Sequence, residues 1–354
     1  MNMSVENGGV ADTALQVGEL TSAEVAKWDE YVMRCPEATF FHRAGWKEVI
    51  ERAMGHQAYF LYAKSGDEIQ GVLPLGHIRS RLFGNSLISL PFCVYGGAAV
   101  THPQAREVLE NAAQELAGRL NVDYLEIRNL VSRHADWPRK DLYVTFRKEI
   151  SPDPEENMKS IPRKQRAVVR KAIKAGLTSE MDDGTERLYE AYSQSVHALG
   201  TPVFPKSLFT VLREVFGNDC DVLTVTKDGR LVSSVMSFYF KDQVLPYYGG
   251  GTAEARALKA NDFMYWELMR RSAERGIRIF DYGRSKKGTG SYSFKKNWGF
   301  EPEPLHYEFH LVNAEKMPDV SPMNPKYRIF INLWQRMPLP LTKILGPVIS
   351  RNLG

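Results

Sequence analysis

The chain has 354 residues, 43% hydrophobic and 25% charged, which is ordinary for a soluble globular protein and long enough for two domains. The formal net charge is only +4, so a site for an anion must come from local clustering of cations. Three scattered cysteines (Cys35, Cys93 and Cys220) disfavour a disulfide framework, and the lack of any run of 18 apolar residues disfavours a transmembrane helix, so we expect a cytoplasmic protein.

Local patterns predict a succession of helices and strands along both halves of the chain. Residues 1–17 lack the cationic start and apolar core of a signal peptide and are expected to form a flexible tail. Apolar periodicity and start signals predict helices over residues 22–33, 44–53, 104–120, 162–175, 185–199, 205–216 and 258–275. Strand-like runs are 59–63, 86–92, 142–148, 222–226, 243–247 and 306–312.

The two halves look like copies of one another. In each, a hairpin is followed by a strand leading to Tyr-Gly-Gly, then a helix, then a strand with Asp-Tyr and a following arginine. Tyr95 and Asp123 in the first copy are 28 residues apart, and Tyr248 and Asp281 in the second are 33 apart. We therefore predict an α/β (α+β) fold of two lobes, each a mixed, largely antiparallel sheet flanked by helices. The predicted divisions are residues 18–150, 151–312 and a helical extension, 313–354.

Residues 281–300 carry the strongest chemical signal. They combine five cations with four glycines and a single acid, Asp281, directly after a predicted strand. Like charges repel and glycine costs conformational entropy, so this composition favours a loop that brings backbone and cations close to a polyanion. A solvated basic surface loop is the alternative. The cations are Arg284, Lys286, Lys287, Lys295 and Lys296.

A second basic cluster lies on the helix predicted over residues 162–175. Arg163, Arg166 and Arg170 fall on one stripe of that helix, and no acid lies between Glu156 and Glu180. Solvated helix faces usually mix the two signs of charge, which gives favourable pairs four residues apart. The stripe is therefore interpreted either as a solvated face or as a contact for phosphate or RNA.

Other familiar motifs fit the chain poorly. The glycines at 283, 288 and 290 satisfy neither the P-loop nor the dinucleotide-binding spacing. The residues after Tyr248 lack the Arg/Gln-x-x-Gly-x-Gly/Ala pattern of acyl-CoA acetyltransferases. This weakens the hypothesis that acyl-CoA is the donor but does not exclude it. His306 and His310 would lie about 13 Å apart on a strand, too far for one metal ion. No metal site and no serine or cysteine triad is predicted.

The last segment, residues 327–353, is apolar, with four cations and no acid. Such a segment either docks on the core or lies on an anionic membrane surface. The expected location is therefore cytoplasmic, with a peripheral contact at the inner membrane face as an open alternative.

Several of these motifs together resemble the FemAB/FemX family, and in particular its branch associated with PEP-CTERM/exosortase systems. The resemblance covers nearly the whole chain and implies a tandem GNAT-like fold. The motifs that carry it are residues 40–46, 87–92, 161–164, 247–251, 261–267, 280–283 and 294–300. The Gly- and Lys-rich insert at 285–291 departs from the classical members.

The resemblance also implies a function: acyl or aminoacyl transfer that forms an amide on an amine of a cell-envelope or exopolysaccharide precursor. No tightly bound cofactor is expected. The donor would be aminoacyl-tRNA or acyl-CoA, and the acceptor a lipid- or nucleotide-linked saccharide or another amine. A non-catalytic RNA- or membrane-associated accessory protein of polysaccharide export is a further alternative.

The resemblance implies that Phe294 and Lys295 line the site, and we assign roles to these and the other candidate residues as hypotheses. Lys295 would stabilise the oxyanion of a tetrahedral intermediate, with Phe294 excluding water beside it. Asp281 would accept the proton of the amine, orient a cation, or serve only to end its strand. The remaining candidates would bind substrate or phosphate: Arg284, Lys286, Lys287, Tyr248, Arg163, Arg166 and Arg170.

Overall fold

The computed structural model describes residues 14–80, 83–318 and 325–353. Its strands are β1 (Gln16–Glu19), β2 (Gln57–Ser65), β3 (Glu68–Ser80), β4 (Gly84–Ser89), β5 (Ala99–Val100), β6 (Tyr124–Asn129), β7 (Arg139–Lys140), β8 (Tyr143–Glu149), β9 (Leu177–Asp182), β10 (Cys220–Lys227), β11 (Arg230–Phe240), β12 (Gln243–Gly251), β13 (Ile279–Asp281), β14 (Ser285–Lys286), β15 (Pro302–Pro304) and β16 (His306–Leu311).

The helices are α1 (Val25–Arg34), α2 (Gly45–Val49), α3 (Pro103–Arg119), α4 (Pro154–Ser160), α5 (Arg163–Lys174), α6 (Glu186–Ala198), α7 (Lys206–Phe216), α8 (Ala255–Leu258), α9 (Ala260–Glu274), α10 (Gly290–Asn297), α11 (Pro325–Arg336) and α12 (Leu339–Ser350). Short turns of other helix types occupy Ser22–Glu24, Phe40–His42, Ile50–Met54 and Gly217–Asp219. No helix within the described ranges is long and apolar enough to cross a membrane.

The strands form two eight-stranded sheets, which confirms the predicted α/β class. The first has the order β1-β2-β3-β4-β6-β16-β7, with β5 beside β3. The second has the order β14-β8-β13-β12-β11-β10-β9, with β15 beside β8. Most neighbours are antiparallel, but β4 pairs with β6 and β12 pairs with β13 in parallel. Helix α3 connects the first parallel pair and α9 the second, so the two halves repeat one topology.

One of the sequence matches between the halves, the Asp-Tyr pair, is not equivalent in space. Asp281 is the last residue of β13, whereas Asp123 precedes β6 and its carboxylate accepts a hydrogen bond from Asn85 N. The two Asp-Tyr pairs therefore lie at opposite ends of corresponding strands. The arginine match is closer, because Arg128 and Arg284 both come near Tyr307.

The two sheets exchange strands across the predicted boundary at residue 150. Strand β8, which precedes that boundary, pairs with β13, β14 and β15 in the second sheet. Strand β16 follows most of the second lobe but pairs with β6 and β7 in the first sheet. Of the predicted tail, residues 1–13 lie outside the described ranges, and Gln16 already belongs to β1.

A shared core of aromatic residues joins the lobes. Phe40, from the first half, stacks on Phe238 of β11 with ring centroids 4.5 Å apart, and it also contacts Phe216 of α7 at 4.6 Å. Phe41 contacts Tyr247 of β12 at 5.3 Å. Such aromatic pairs stabilise a contact beyond the apolar area they bury. The lobes are thus held by buried hydrophobic contacts as well as by shared strands.

The prediction that residues 281–300 form a loop is wrong for most of the stretch. Ser285 and Lys286 form β14, and Gly290–Asn297 is helix α10. Thr289 caps this helix, because its hydroxyl accepts a hydrogen bond from Tyr292 N at 3.4 Å. The cap is a sufficient start signal, but the surrounding glycines and lysines obscure it in the sequence.

Candidate active site

The end of β13 places a buried carboxylate between the two lobes. Asp281 is fully buried, and its Oδ2 accepts a hydrogen bond of 2.5 Å from the hydroxyl of Tyr95 in the first lobe. Oδ1 accepts one from Gly283 N at 2.7 Å and one from Thr145 at 3.3 Å. Arg147 Nε lies 3.9 Å from Oδ2. The carboxylate therefore fixes the turn after β13 and links the lobes, which is the structural role considered for it.

The turn after Asp281 directs two carbonyl groups at Lys295. Gly283 adopts φ +66°, a left-handed conformation that glycine takes without strain. Its carbonyl accepts a hydrogen bond from Lys295 Nζ at 2.9 Å, and the carbonyl of Arg284 accepts another at 3.0 Å. Lys295 projects from α10 and is only 8% exposed. The position of its amine is therefore fixed by backbone atoms rather than by mobile side chains.

Burial changes the acid–base chemistry of Lys295. It lowers the pKa of the amine to about 7, while nearby Asp281 raises that pKa and Arg284 lowers it further. The amine thus exchanges protons near neutral pH. When protonated, it has three N–H donors, of which the two carbonyl groups take two. One donor is left for a ligand.

The aromatic ring beside Lys295 is not the one predicted from the sequence. Lys295 Nζ lies 5.6 Å from the ring centroid of Phe146 in β8. Phe294 instead contacts Tyr265 at 5.6 Å and Trp298 at 6.1 Å, within the core of the second lobe. Consecutive residues on a helix point about 100° apart, so Phe294 and Lys295 face different surroundings. Phe294 thus packs against the second-lobe core, and Phe146 is the ring found near the Lys295 amine.

Arg284 lies where the two sheets meet and keeps accessible surface there. Its guanidinium carbon is 4.8 Å from the ring centroid of Tyr143 in β8 and 5.9 Å from that of Tyr307 in β16. One of its nitrogens donates to the Tyr307 hydroxyl at 3.1 Å. No carboxylate within the described ranges forms a salt bridge with it. Arg284 therefore presents a positively charged group with N–H donors available for an anionic ligand.

Arg128 approaches Tyr307 from the first lobe but is already paired with a carboxylate. It is buried, pairs with Glu126 at 2.7 Å, and donates to the carbonyl of Cys93 at 2.7 Å. Its guanidinium carbon lies 5.1 Å from the Tyr307 ring centroid. The charge of Arg128 is thus paired within the first lobe, whereas Arg284 has no carboxylate partner in the described ranges.

The other two cations of the basic stretch differ in exposure. Lys287 is exposed, and its backbone N–H donates to Leu142 O at 3.0 Å. Lys286 is partly buried in β14, which pairs with β8. Both belong to the edge of the second sheet that also holds Arg284. Together with Thr289, they connect that edge to the start of α10.

Tyr248 contributes a buried hydroxyl that has no hydrogen-bond partner among the described residues. Tyr192, Phe204 and Phe209 surround its ring, which is 5% exposed. Burial raises the pKa of Tyr248 well above its ordinary value, and Arg284 acts in the opposite direction. A buried hydroxyl without a partner is costly, and such groups often face a ligand.

The basic stripe on α5 is not part of this group. Arg163 and Arg170 are exposed, and Arg166 donates to the carbonyls of Ile161 and Lys159. The buried face of α5 packs on the second-lobe core, beside α9. None of the contacts found in the described ranges joins the stripe to Arg284 or Lys295. The seven predicted binding residues thus fall into two groups.

We call Tyr95, Arg128, Tyr143, Phe146, Tyr248, Asp281, Arg284, Lys295 and Tyr307 the strand-end site. Five of these residues carried no prediction of a site role. In the sequence, Tyr95 stands out only as part of the repeat, and it is 186 residues from Asp281. No local sequence pattern indicates that two residues so far apart in the chain are in contact. Tyr143, Phe146 and Tyr307 come from the strands at which the sheets meet, so their role follows from topology alone.

Comparisons with known proteins identify the fold. Residues 163–296 match the family model described as an acetyltransferase (GNAT) domain. FemX matches with TM-score 0.66 and 16% identity, over 89% of this chain and 100% of FemX. The C-terminal domain (DUF2156) of a putative lysylphosphatidylglycerol synthetase from Agrobacterium fabrum gives 0.56 and 15%, over 81% and 91% of the two chains. A tandem GNAT protein from the clavulanic acid biosynthesis pathway gives 0.52 and 14%, over 86% and 100%.

These matches confirm a fold of two tandem GNAT-like lobes. None of the curated proteins matches the sequence. The matched domain, residues 163–296, begins at α5 and ends one residue after Lys295, so it contains most of the second-lobe part of the strand-end site. At sequence identities of 14–16%, these structural matches establish the architecture alone. Function must be argued from the site itself.

Proposed function

We propose that this protein is a FemX-like acyl or aminoacyl transferase that forms an amide on an amine of a cell-envelope or exopolysaccharide precursor. The observation that carries the proposal is the buried Lys295 amine. Two carbonyls hold it at the end of β13, and the exposed charge of Arg284 lies on the adjacent turn. The tandem GNAT-like fold supports the reaction class.

The transfer would proceed by addition and elimination at an activated ester. The acceptor amine attacks the acyl carbon, and a tetrahedral intermediate with a negatively charged oxygen forms. The third N–H of protonated Lys295 donates to that oxygen in a site from which Phe146 excludes water. The amide bond remains when the ester C–O bond breaks, and the leaving oxygen takes up the proton released by the amine. Asp281 acts indirectly, because its oxygens fix the turn that positions Lys295.

Arg284 and Tyr248 would orient the substrates. Arg284 provides N–H donors and charge for a phosphate or carboxylate, with bonds worth roughly 1.5–3 kcal/mol each. The Tyr248 hydroxyl would find its missing partner in a polar group of the donor or acceptor. Lys286 and Lys287 would extend the positive edge toward a longer polyanion such as the end of a charged tRNA. The stripe on α5 would contact the body of that RNA.

The test is transfer of a labelled acyl group to an extract of lipid-linked and nucleotide-linked saccharides, with charged tRNA or acyl-CoA as donor. Lys295→Met is expected to lower the transfer rate by about 10²–10³, the usual effect of removing one oxyanion donor. Lys296→Met is the matched control, because Lys296 is the next residue of α10 but is exposed. Normal transfer by folded Lys295→Met protein would overturn the mechanism.

The same assay addresses the nature of the acceptor. The resemblance to the PEP-CTERM-associated branch leads us to propose an amino group of an exopolysaccharide precursor. Separate fractions of peptidoglycan and exopolysaccharide precursors would be offered to the enzyme. Label found only in the peptidoglycan fraction would contradict this part of the proposal and leave the reaction class intact.

An acyl-CoA donor is the second candidate, because residues 163–296 match a GNAT acetyltransferase domain. One feature opposes it. The residues that follow Tyr248 lack the Arg/Gln-x-x-Gly-x-Gly/Ala pattern of acyl-CoA acetyltransferases. We therefore expect charged tRNA to be the better donor. Faster transfer from acetyl-CoA would favour the second candidate.

A non-catalytic role in RNA or membrane association would give a different result. RNA would bind with an affinity that falls steeply with salt, and no donor would support transfer to any fraction. Arg163→Glu with Arg170→Glu would then abolish the only measurable activity. In the proposed enzyme, the same double variant raises the KM for charged tRNA and leaves the KM for a small soluble donor ester unchanged.

A further inference from the structure

The two C-terminal helices expose apolar side chains of the kind that surface helices usually bury. On α12, Thr342, Gly346 and Ser350 face the protein. The outward stripe is aliphatic, with exposed fractions of 42% for Leu341, 69% for Ile344, 40% for Leu345 and 61% for Val348. These four residues have the i, i+3, i+4, i+7 spacing of one helix face. In most surface helices that apolar face packs on the core.

The contacts of α12 show that this orientation is fixed by packing. A side chain at Gly346 would lie 2.7–2.9 Å from atoms of Val203, so only glycine allows this close approach. The Ser350 hydroxyl donates to Val203 O at 3.0 Å, and Lys343 pairs with Glu190 of α6 at 2.5 Å. Rotating the helix to bury its aliphatic stripe would break all three contacts.

Helix α11 extends the same apolar surface. Trp334 is buried, while Ile329 is 71% exposed and Leu333 is 62% exposed. Together, α11, α12 and the following turn hold seven of the fifteen exposed large hydrophobic residues in the described ranges. Scattered exposed apolar residues need no explanation, but a concentration of them marks an interaction site. We call the seven the C-terminal apolar surface: Ile329, Leu333, Leu341, Ile344, Leu345, Val348 and Leu353.

The charges of this region indicate the partner. No acidic residue occurs in 327–353, and of its four cations Arg336 and Arg351 are exposed. Neither forms a salt bridge to a carboxylate within the described ranges. An aliphatic surface flanked by unpaired arginines matches a bilayer interface with anionic headgroups, where apolar side chains enter the acyl region and arginines contact phosphates.

We propose that the C-terminal apolar surface binds anionic lipid bilayers and holds the protein at a membrane interface. The helices lie in the plane of the interface. This inference does not depend on chemistry at Lys295. It also bears on the acceptor, if the proposed function holds. The end of α12 contacts His56, whose ring stacks on Phe92, and Phe92 contacts Phe204 beside Tyr248. A lipid-linked acceptor at the membrane would thus lie near the strand-end site.

The test is co-sedimentation of the full chain with sucrose-loaded vesicles of phosphatidylcholine, with and without 30 mol% (about one lipid in three) phosphatidylglycerol. Val348→Asp is expected to lower partitioning onto the anionic vesicles by about tenfold. Val131→Asp is the matched control, because Val131 is 58% exposed and lies in the first lobe. Arg336→Gln with Arg351→Gln should reduce the preference for anionic vesicles and leave weak binding to neutral ones.

Three results would overturn the proposal. The first is failure of the wild-type protein to sediment with vesicles at low salt, and the second is equal sedimentation of Val348→Asp, Val131→Asp and the wild type. The third is a dimer, detected by light scattering, that Val348→Asp dissociates and that does not bind vesicles; the surface would then be a contact between two copies. Because both valines are exposed, thermal unfolding should be unchanged in both variants, which excludes misfolding as the cause.

Discussion

At the scale of the residue, Lys295 shows how a fold changes the chemistry of an ordinary side chain. An exposed lysine is charged throughout the physiological range. Burial against Phe146 and two carbonyl groups brings the pKa of this amine to about 7. Neighbouring Lys296 is exposed on the same helix. The difference between the two lysines arises from tertiary packing, which explains why the sequence alone assigned both to one basic stretch.

The lowered pKa predicts a pH dependence of transfer. The protonated amine is the form that donates to the oxyanion, and its population falls as pH rises through about 7. We therefore expect kcat to decline between roughly pH 7 and 9, which single-turnover rates would show. An increase over this range, apart from the titration of the acceptor amine, would indicate that Lys295 acts as a base.

Stability provides the control for that experiment. Because the folded-state pKa of Lys295 lies below its ordinary value of 10.5, the unfolded state binds more protons between about pH 7 and 10. This residue's contribution to the free energy of unfolding therefore rises with pH over that window, and it is least favourable below pH 7. A loss of activity above pH 7 thus cannot be attributed to unfolding at this residue. Lys295→Met should remove this part of the pH dependence in urea titrations.

Two tyrosines of the strand-end site differ in the expected role of their hydroxyl groups, structural in Tyr95 and functional in Tyr248. Tyr95→Phe removes the donor 2.5 Å from buried Asp281 and should lower the free energy of unfolding by about 1–3 kcal/mol. Tyr248→Phe removes a hydroxyl with no partner in the described ranges, so the change should stay within about 0.5 kcal/mol. Urea unfolding measures both. Tyr248→Phe should nevertheless lower kcat/KM, and equal stabilities of the two variants would contradict this assignment.

At the scale of the element, one glycine of strand β12, Gly250, is required by the close approach of helix α6. The repeated Tyr-Gly-Gly motif drew attention to the glycines here but did not indicate why they are needed. In the structure, α6 crosses β12 so closely that Gly250 faces the backbone of Ala191 and Tyr192. Gly250 thus allows a helix and a strand to meet without intervening side chains.

This close approach predicts the effect of a single methyl group. In Gly250→Ala, the new carbon would lie 2.5 Å from Ala191 O and 2.8 Å from Tyr192 Cα. Backbone atoms cannot move aside cheaply, so we expect destabilisation of about 1–3 kcal/mol. Gly118→Ala is the control, because a methyl group there on α3 meets nothing within 4 Å. Thermal unfolding should show no loss for Gly118→Ala, and similar losses for both would contradict the packing argument.

Elements with their own start signals were predictable from the sequence. The capping box at Thr21, and the prolines at 162 and 205, mark helices that begin within a few residues of the predicted positions. Helices α4 and α10 were missed because Pro- and Gly-rich surroundings resemble loops. The site was predictable only in its second-lobe part, which comprises Tyr248, Asp281, Arg284 and Lys295. Its first-lobe residues depend on pairing between strands far apart in the chain.

At the scale of the whole molecule, the exchange of strands makes each sheet depend on the other half of the chain. Buried Glu308, in β16, accepts hydrogen bonds from Asn129 and from the backbone of Arg133. Those first-lobe groups lose their partner if the second half is removed. The shared core around Phe40 and Phe238 is lost at the same time. The lobes are thus similar in topology without being independent folding units.

A fragment of residues 14–150 tests this dependence. It retains β1 to β8 but lacks β16, so the edge of β6 is left unpaired and β8 has no sheet to join. We expect it to aggregate or to lack a cooperative urea transition, as monitored by the fluorescence of Trp28 and Trp46. The full chain should unfold in one transition. A fragment with a sharp transition at the midpoint of the full chain would show that the first lobe folds alone.

The late position of β16 also affects how the protein is made. Strand β6 ends at Asn129, and its partner ends at Leu311, about 180 residues later. At 5–20 residues per second, the ribosome needs roughly 10–40 s to supply the missing strand. Throughout that interval the nascent chain carries an open β-edge, which is a template for association with other chains. Slower elongation between these strands should lower the soluble yield, and chaperones that shield nascent chains should restore it.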